Sequence, residues 1–370
     1  MYVKIKNVLK KEIVLVIAVF LTIITCFIVP IDEKYIGYFD MKTLISLFCI
    51  LSVVAGLKNT NIFELISEKI VKRFTTRRTV ILSLIFGTFF FDTIVANDMS
   101  LIIFLPLTYL VLHSTNNDKF LGITFIMQTI AANMGGMITP YGNPQNLYLY
   151  SHYNIPTLEF VQILLPQSIM VAILLIICSL FIKNEPLIKL KENSNKNIDK
   201  KRLIIYTILF VLVILTIFRV IPYIITFLIT LIIMLLFDEK RFKHIDYSLI
   251  LTFITFFIFS GNISRIEEIK IFFENIANNN LLFAGLTSCQ VISNVPTAIF
   301  LSKFTMNYTD LLIAVNIGSL GIMTSSLASL ITLKEFLKHQ PKKIWKYLLT
   351  FTIVNTIFLI ILLFVTKMIY

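Results

Sequence analysis

The chain has 370 residues, of which 57% are apolar and only 15% are charged, and its mean hydropathy is +0.86. About a quarter of the residues in a soluble globular domain are charged, so this composition excludes an ordinary soluble protein and indicates an integral membrane protein. The net charge of +12 could suggest nucleic-acid binding. The basic residues are distributed over short loops, however, as membrane topology requires, so we expect no nucleic-acid partner.

Apolar runs long enough to cross a membrane follow one another along the chain. They are continuous rather than alternating, which predicts helices instead of barrel strands and an all-α polytopic membrane protein. We predict nine full spans, at 12–30, 41–57, 120–150, 159–182, 203–218, 220–237, 246–260, 309–332 and 347–366. Two further apolar pieces, 79–112 and 281–302, have polar residues near their middle and are predicted to be re-entrant helical hairpins.

Lysine and arginine set the predicted orientation. With a cytoplasmic N-terminus, most of the 33 basic residues fall in cytoplasmic loops, as the positive-inside rule demands. The exceptions are Lys34, Lys42, Arg219, Arg265, Lys270, Lys303 and Lys367. We therefore predict a multi-pass protein of the cell membrane, in contact with lipid, whose C-terminus lies outside.

The chain also divides into two halves with the same plan. Residues 1–183 are predicted to form a first repeat and residues 219–370 a second one, joined by a cytoplasmic linker at 184–202 and a linking span at 203–218 that inverts the second half. Each half has an amphipathic stretch suited to the membrane interface, then a hairpin and a span with a polar break. The amphipathic stretches are 61–74 and 264–279, and the broken spans are 120–150 and 309–332. Inverted repeats with discontinuous helices are typical of transporters.

The two broken spans contain most of the candidate binding residues. In the first, prolines and glycines prevent a regular helix, so the helix should stop and restart. The residues concerned are Asn133, Gly135, Gly136, Thr139, Pro140, Gly142, Asn143, Pro144 and Asn146. In the second, small and hydroxylated residues stand where the first has prolines. The residues concerned are Asn316, Gly318, Thr324, Ser325 and Ser326. This second signal is weaker, because Ser and Thr can also bond back to a carbonyl inside an intact span. A restarted half-helix has free N–H groups that favour an anion.

Each hairpin has an asparagine at its tip, Asn97 in the first and Asn294 in the second. Ser293, Pro296 and Thr297 accompany Asn294. An amide can bind a cation through its oxygen and an anion through its NH₂. A single such asparagine is more readily explained by a bond between helices, but two at pseudo-symmetric tips beside the breaks favour a binding role. Asp92 and Asp98 are the acids deep in apolar sequence, and both are candidates for coupling to a proton or cation. We favour Asp98, which adjoins the tip.

The motif Gly135-Gly136-x-x-Thr139-Pro140-x-Gly142-x-Pro144-x-Asn146 resembles a signature of the citrate-transporter-like branch of the ion transporter superfamily, which includes the divalent-anion:sodium symporters. The plan of two hairpins and two broken spans is similar to that family over essentially the whole chain. Members have Ser-Asn-Thr at both tips. Here Ala96-Asn97-Asp98 and Ser293-Asn294-Val295 stand at those positions, and Asn294-x-Pro296-Thr297 follows. These tips more closely resemble arsenite efflux permeases and D-type sodium/proton antiporters.

The resemblance implies a homodimer that works by an elevator mechanism, and a coupling Na⁺, if used, bound near Asn97 and Asn294. We predict no other metal and no cofactor. Nucleotide-binding and hydrolase motifs are absent from the sequence, so an enzyme is not expected. The expected function is secondary active transport of a small anion, a di- or tricarboxylate or an inorganic oxyanion, coupled to Na⁺ or H⁺. The alternatives are a Na⁺/H⁺ antiporter without an organic substrate and an arsenite-type permease that works with a partner ATPase.

Overall fold

A computed structural model describes residues 13–58, 60–62, 65, 73, 75–95, 97–187, 199–237 and 245–370. Most of the predicted interfacial stretch 61–74 and most of the linker 184–202 lie outside the described residues. The described part is helical, and the predicted all-α polytopic membrane fold is confirmed. Its helices are α1 (Ile13–Ile28), α2 (Met41–Lys58), α3 (Arg77–Asp92), α4 (Asn97–Ser114), α5 (Leu121–Gly135), α6 (Pro144–His152), α7 (Thr157–Leu180), α8 (Lys200–Ile217), α9 (Tyr223–Phe237), α10 (Tyr247–Ile263), α11 (Glu267–Ile292), α12 (Asn294–Leu301), α13 (Tyr308–Ile317), α14 (Leu327–His339) and α15 (Ile344–Ile369).

Several helices are long and apolar enough to cross a membrane. In the described ranges these are Met41–Lys58, Asp118–Ile138, Thr157–Leu180 and Pro341–Ile369. Tyr247–Ile263 and Glu267–Ile292 qualify together, as a pair bent by 103°. Shorter apolar helices occupy parts of other predicted spans, at Leu15–Ile28, Asp98–Ser114, Tyr223–Leu236 and Tyr308–Ile317. The protein is therefore multi-pass, while the nine-span topology and its orientation stay predictions.

The helices pack in two groups. In one group α1 lies along α10, and α2 lies against α8 and α9. In the other, α3 and α4 pack on α5, α4 also packs on α14, and α11 packs on α12 and α13. The groups meet where α2 contacts α6 and where α10 contacts α12. Both broken spans belong to the second group, so the short helix α6 lies at the boundary between the groups.

Hairpin-like turns occur at both predicted positions. The first lies between Asp92 and Asn97, where α3 ends and α4 begins. The second lies at Ser293, whose φ of 74° separates α11 from α12. Helix α11 is itself kinked at Asn280, where the backbone is non-helical. This kink falls between the predicted interfacial stretch and the predicted second hairpin, so the two segments of α11 run in different directions.

A surface ion pair fixes the turn between α10 and α11. Arg265 donates to both carboxylate oxygens of Asp32, at 2.9 and 2.6 Å, and to the hydroxyl of Tyr38 at 3.0 Å. The hydrogen bonds from Arg265 hold the pKa of the Asp32 carboxyl below its usual value. The segment between α1 and α2 is thereby attached to the far end of α10, in agreement with the packing of α1 along that helix.

Candidate functional site

The first broken span interrupts its helix deep inside the molecule. Helix α5 ends at Gly135, a 3₁₀ turn covers Gly136–Ile138, and α6 restarts at Pro144. The N-cap residue of α6, Asn143, is extended, with φ −128° and ψ 142°. Proline suits the first turn of a helix because its missing N–H would have no helical partner there. The sequence Gly-Gly…Pro-Tyr-Gly-Asn-Pro therefore stops one helix and starts another within a buried segment.

The second broken span follows the same order with different chemistry. Helix α13 ends at Ile317, a 3₁₀ turn covers Met323–Ser325, and α14 begins after the extended N-cap residue Ser326. Between them Gly321 has φ +113°, in the region that side chains rarely adopt. The Ser326 hydroxyl accepts a hydrogen bond from Ser329 N at 3.2 Å. A serine cap and a left-handed glycine thus replace the prolines of the first span.

Gln290 of α11 binds the backbone of the second break. Its Nε2 donates to the carbonyls of Gly318 and Leu320, both at 2.9 Å, and its Oε1 accepts from Ile322 N at 3.0 Å. These contacts satisfy backbone groups that the interrupted helix leaves without partners. Sequence reasoning missed Gln290. Its signal was an amide side chain three positions before the predicted tip Ser293, in the mostly apolar second segment of α11.

Reciprocal hydrogen bonds join the two broken spans. Asn133 Nδ2 donates to Ser326 Oγ at 3.1 Å, and Asn316 Nδ2 donates to Asn146 Oδ1 at 2.7 Å. Each helix that ends at the break therefore contacts the beginning of the restarted helix from the other half. Gln145, which the sequence did not single out, adds a longer bond from its Nε2 to Asn316 Oδ1 at 3.4 Å. The N-terminal ends of α6 and α14 are thus brought into one buried polar cluster.

The second hairpin tip lies against the second break. Ser293 Oγ donates to the Ser325 carbonyl at 3.4 Å, and Thr297 Oγ1 donates to the Ser293 carbonyl at 2.8 Å. The Asn294 Oδ1 atom accepts from Val295 N at 3.0 Å. These polar groups are buried, so the second tip closes one side of the cluster.

The first hairpin is tied to the first break. Thr139 Oγ1 donates to the Thr93 carbonyl at 3.0 Å. Asp92, at the end of α3, is fully buried, and its Oδ1 accepts from Ser100 Oγ at 2.8 Å. Asp98 is only half-buried and lines a cavity. The two acids therefore occupy different surroundings, although they are six residues apart.

The predicted site residues differ in how deeply they are buried. Those that are buried are Asp92, Asn133, Gly135, Gly136, Pro140, Gly142, Asn143, Asn146, Ser293, Asn294, Pro296, Thr297, Asn316, Gly318, Ser325 and Ser326. Asp98, Thr139 and Pro144 are half-buried, and Thr324 is exposed, where its hydroxyl donates to the Gln290 carbonyl at 3.0 Å. The side chain of Asn97 lies outside the described part of the structure.

Two cavities border α6, the helix that restarts at the first break. One, of about 400 Å³, lies between α2, α4, α6 and α10, and Asp98, Tyr141 and Pro144 line it. Lys58 and Asp246, at ends of helices that we predict to be cytoplasmic, also line it. The other, of about 260 Å³, has Lys42 and Arg219 in its wall. Leu147 of α6 lines both cavities. One short helix thus separates two spaces next to the buried polar residues.

Buried, interrupted helices within an apolar multi-pass fold are typical of membrane transporters, because irregular backbone at membrane depth is tolerated only where protein or a cavity surrounds it. The chain belongs to the citrate transporter family, whose family model matches residues 5–317. It is similar to the uncharacterized transporter MJ0456 of Methanocaldococcus jannaschii, with 34% identity over 329 residues, 87% of this chain and 88% of that protein. It is also similar to the inner membrane protein YbiR of Escherichia coli, with 24% identity over 324 residues, 86% of each chain. The predicted resemblance is confirmed.

Proposed function

We propose that this protein is a secondary active transporter that moves a small anion across the membrane, coupled to Na⁺ or H⁺. The observation that best supports the proposal is the meeting of two restarted half-helices, α6 and α14, in one buried polar cluster. The N-terminus of a helix has unsatisfied N–H groups and a partial positive charge. Two such ends in one polar cluster are suited to an anion such as a carboxylate or an oxyanion.

The reciprocal bonds of Asn133 and Asn316 support an inverted repeat. These two asparagines stand at matching positions of the sequence echo Asn133-x-Gly135 and Asn316-x-Gly318, and each donates to the other half. A pseudo-twofold arrangement of this kind brings equivalent atoms of the two halves to a shared site near the membrane midplane. Motion of one group of helices against the other would then expose this site alternately, as an elevator does.

The cavity beside Asp98 supports an access route. Its lining includes Pro144, the first residue of α6, and Lys58, the last residue of α2. Most of its other lining residues are apolar, for example Leu47 and Val54. We propose that the substrate travels between α2 and α4, with charged residues at the entrance and apolar walls along the way.

Ligand-dependent thermal unfolding of the purified protein tests the proposal. Citrate, succinate, malate, sulfate, phosphate and arsenite would each be added with and without Na⁺ and at several pH values. A ligand at a hundred times its Kd stabilises a folded protein by about 2.7 kcal/mol, which corresponds to a melting temperature several degrees higher. We expect one class of anion to stabilise the protein, and only when the coupling ion is present.

Two variants locate the effect. Asn294→Ala should lose the anion-dependent stabilisation, because its amide lies at the second hairpin tip. Asn278→Ala, on an exposed part of α11, is the matched control and should keep it. If Na⁺ or pH alone changes the melting temperature and no anion does, the proposal of an anion transporter is wrong and the Na⁺/H⁺ antiporter takes its place.

A further inference from the structure

Two buried oxygen atoms lie next to Gly136. A Cβ atom placed on Gly136 would lie 2.1 Å from Asp92 Oδ2 and 2.6 Å from Asn143 Oδ1. The two oxygens therefore touch the same small volume, and their separation cannot exceed the sum of those distances. Both side chains are completely buried, and neither of these oxygens accepts a hydrogen bond from any residue that the structure describes. Buried polar atoms almost always have a partner, so this pair requires an explanation.

Rotating the Asn143 amide by 180° does not supply a donor for the two oxygens. Its Nδ2 donates to the Asn133 carbonyl at 3.1 Å. A carbonyl can only accept, so an amide turned the other way would place Oδ1 against that carbonyl oxygen and lose the bond. The orientation of Asn143 is thus determined by the end of α5, and its oxygen lies beside Gly136, as Asp92 Oδ2 does.

The neighbouring donors are already committed. Ser100 Oγ donates to Asp92 Oδ1, the other carboxylate oxygen, at 2.8 Å. The N–H of Gly136 lies beside the carboxylate, but it donates to the Ala132 carbonyl. A carboxylate and an amide oxygen are both acceptors, and two acceptors in contact repel each other unless a proton or a cation lies between them.

We propose that Asp92 binds the coupling proton and, when protonated, donates it to Asn143 Oδ1. This proposal rests on the proposed function and assigns the coupling role to Asp92 rather than Asp98. The proton comes from water on one side of the membrane and returns to water on the other. Its release leaves a carboxylate opposite the Asn143 oxygen, without a donor between them.

Burial favours the protonated form. Asp92 is completely buried, and Asp98 of α4, six residues further along the chain, is another acid rather than a cation that could offset a negative charge. Helix α5 (LGITFIMQTIAANMG) and the turn Gly136–Ile138, which also pack on α3, contain no charged residue. Helix α7 has Glu159 near its N-terminus, and this residue accepts a hydrogen bond from Tyr308 at 2.6 Å. A carboxylate in such surroundings costs much more than a neutral acid.

The position of Asn143 links the proton to the anion site. Asn143 is the N-cap residue of α6, and Asn146 in the first turn of that helix accepts from Asn316. Loss of the proton would place repulsion directly at the N-cap and push α6 away from α3. Proton occupancy would in this way change the position of the half-helix end that we propose to bind the anion.

The test needs no substrate. Thermal unfolding of the purified protein would be recorded from acid to alkaline pH, in choline chloride and in NaCl, without added anion. The folded protein holds the proton, so stability is present at low pH and is lost as pH rises through the site's titration. We expect the melting temperature of the wild type to fall by about 2 °C per pH unit in that range.

Variants test whether the pH dependence of the melting temperature comes from Asp92 and Asn143. Asp92→Asn supplies an NH₂ group that donates permanently to Asn143 Oδ1, so its melting temperature should not show this dependence. Asp310→Asn, a half-buried acid outside the site, should keep it. Infrared spectroscopy of the wild type at neutral pH should show the C=O band of a protonated carboxylic acid. Should Asp92→Asn fail to fold, Asn143→Ala should shift that band, because the acceptor is removed.

Three results would overturn the proposal. The first is a pH dependence that disappears in Asp98→Asn and persists in Asp92→Asn. The second is an infrared spectrum without an acid band that responds to changes at residues 92 or 143. The third is a wild type whose stability at alkaline pH is restored by NaCl but not by choline chloride, which would assign the site to Na⁺. None of these depends on whether an anion binds, so they are separate from a failure of the proposed function.

Discussion

Gly136 touches two polar side chains of the site at once. Any side chain at this position would meet Asp92 Oδ2 and Asn143 Oδ1, at distances far shorter than van der Waals contact. Both of these residues are completely buried. The size of this one residue therefore determines how closely α3 can approach the first break.

We expect Gly136→Ala to destabilise the protein by about 1–3 kcal/mol, the usual cost of overpacking a filled interior, and to abolish transport. Thermal unfolding in detergent and uptake into proteoliposomes would measure the two effects. Gly37→Ala is the matched control, because a Cβ at Gly37 has nothing within 4 Å. Normal transport by Gly136→Ala would show that the close contact across this glycine is not needed.

Individual polar residues were only partly predictable. Proline, glycine and asparagine in the first break could be recognised from the sequence, because each is unusual in an apolar span. The position next to the hairpin tip favoured Asp98, whereas burial favours Asp92 for the coupling role that we propose. Burial depends on which face of each helix is covered, and Asp98 is found on a cavity wall whereas Asp92 is enclosed. The roles of Gln290 and Gln145 could not be predicted, because their hydrogen-bond partners lie far away in the sequence.

Among the secondary-structure elements, the C-terminal end of α6 is fixed by one arginine. Arg219, in the turn between α8 and α9, donates to the carbonyls of Tyr150, Ile155 and Asn154 at 2.8, 3.0 and 3.2 Å. Its guanidinium also lies 4.3 Å from the centre of the Tyr150 ring. Three carbonyls at one helix end are a favourable place for a planar cation with several donors.

We expect Arg219→Lys to lower the melting temperature by about 2–4 °C, since a compact ammonium cannot reach all three carbonyls, and hydrogen bonds to charged groups contribute about 1.5–3 kcal/mol each. Calorimetry or fluorescence-detected unfolding would measure the change. The control is Arg202→Lys, an exposed arginine paired with Asp199 one turn away, which should alter stability by less than about 0.5 kcal/mol. Equal melting temperatures of the two variants would contradict the assigned role.

The two breaks differ in how well their sequences predict them. Prolines forbid an intact helix, so the first interruption follows from covalent structure. The second depends on Gln290 binding the carbonyls of Gly318 and Leu320, a tertiary contact that local sequence does not reveal. Helix boundaries are otherwise close to the predicted ones, because apolar runs end at charged or turn-forming residues.

For the whole molecule, the important relation is that Leu147 borders both cavities. An alternating-access transporter should expose this residue to each side of the membrane in turn. We expect Leu147→Cys to react with a membrane-impermeant thiol reagent from either side, with the reactive side changing as anion or coupling ion is added. Leu149→Cys, completely buried on the same helix, should stay unreactive. Reaction from one side under every condition would contradict alternating access.

The two groups of helices could not be predicted, since apolar composition alone does not say which span packs on which. The class of fold could be predicted, because a membrane permits few kinds of spanning structure.

The reciprocal bonds between the broken spans also affect how the protein is made. Their partners are 193 and 170 residues apart in sequence. During synthesis the first half enters the membrane well before the ribosome has produced residues 316–326. The site must therefore be assembled late, after most spans are inserted, and contacts of such long range form slowly. A cell that makes this protein has to protect an unfinished, polar interior in the lipid bilayer until the last third of the chain arrives.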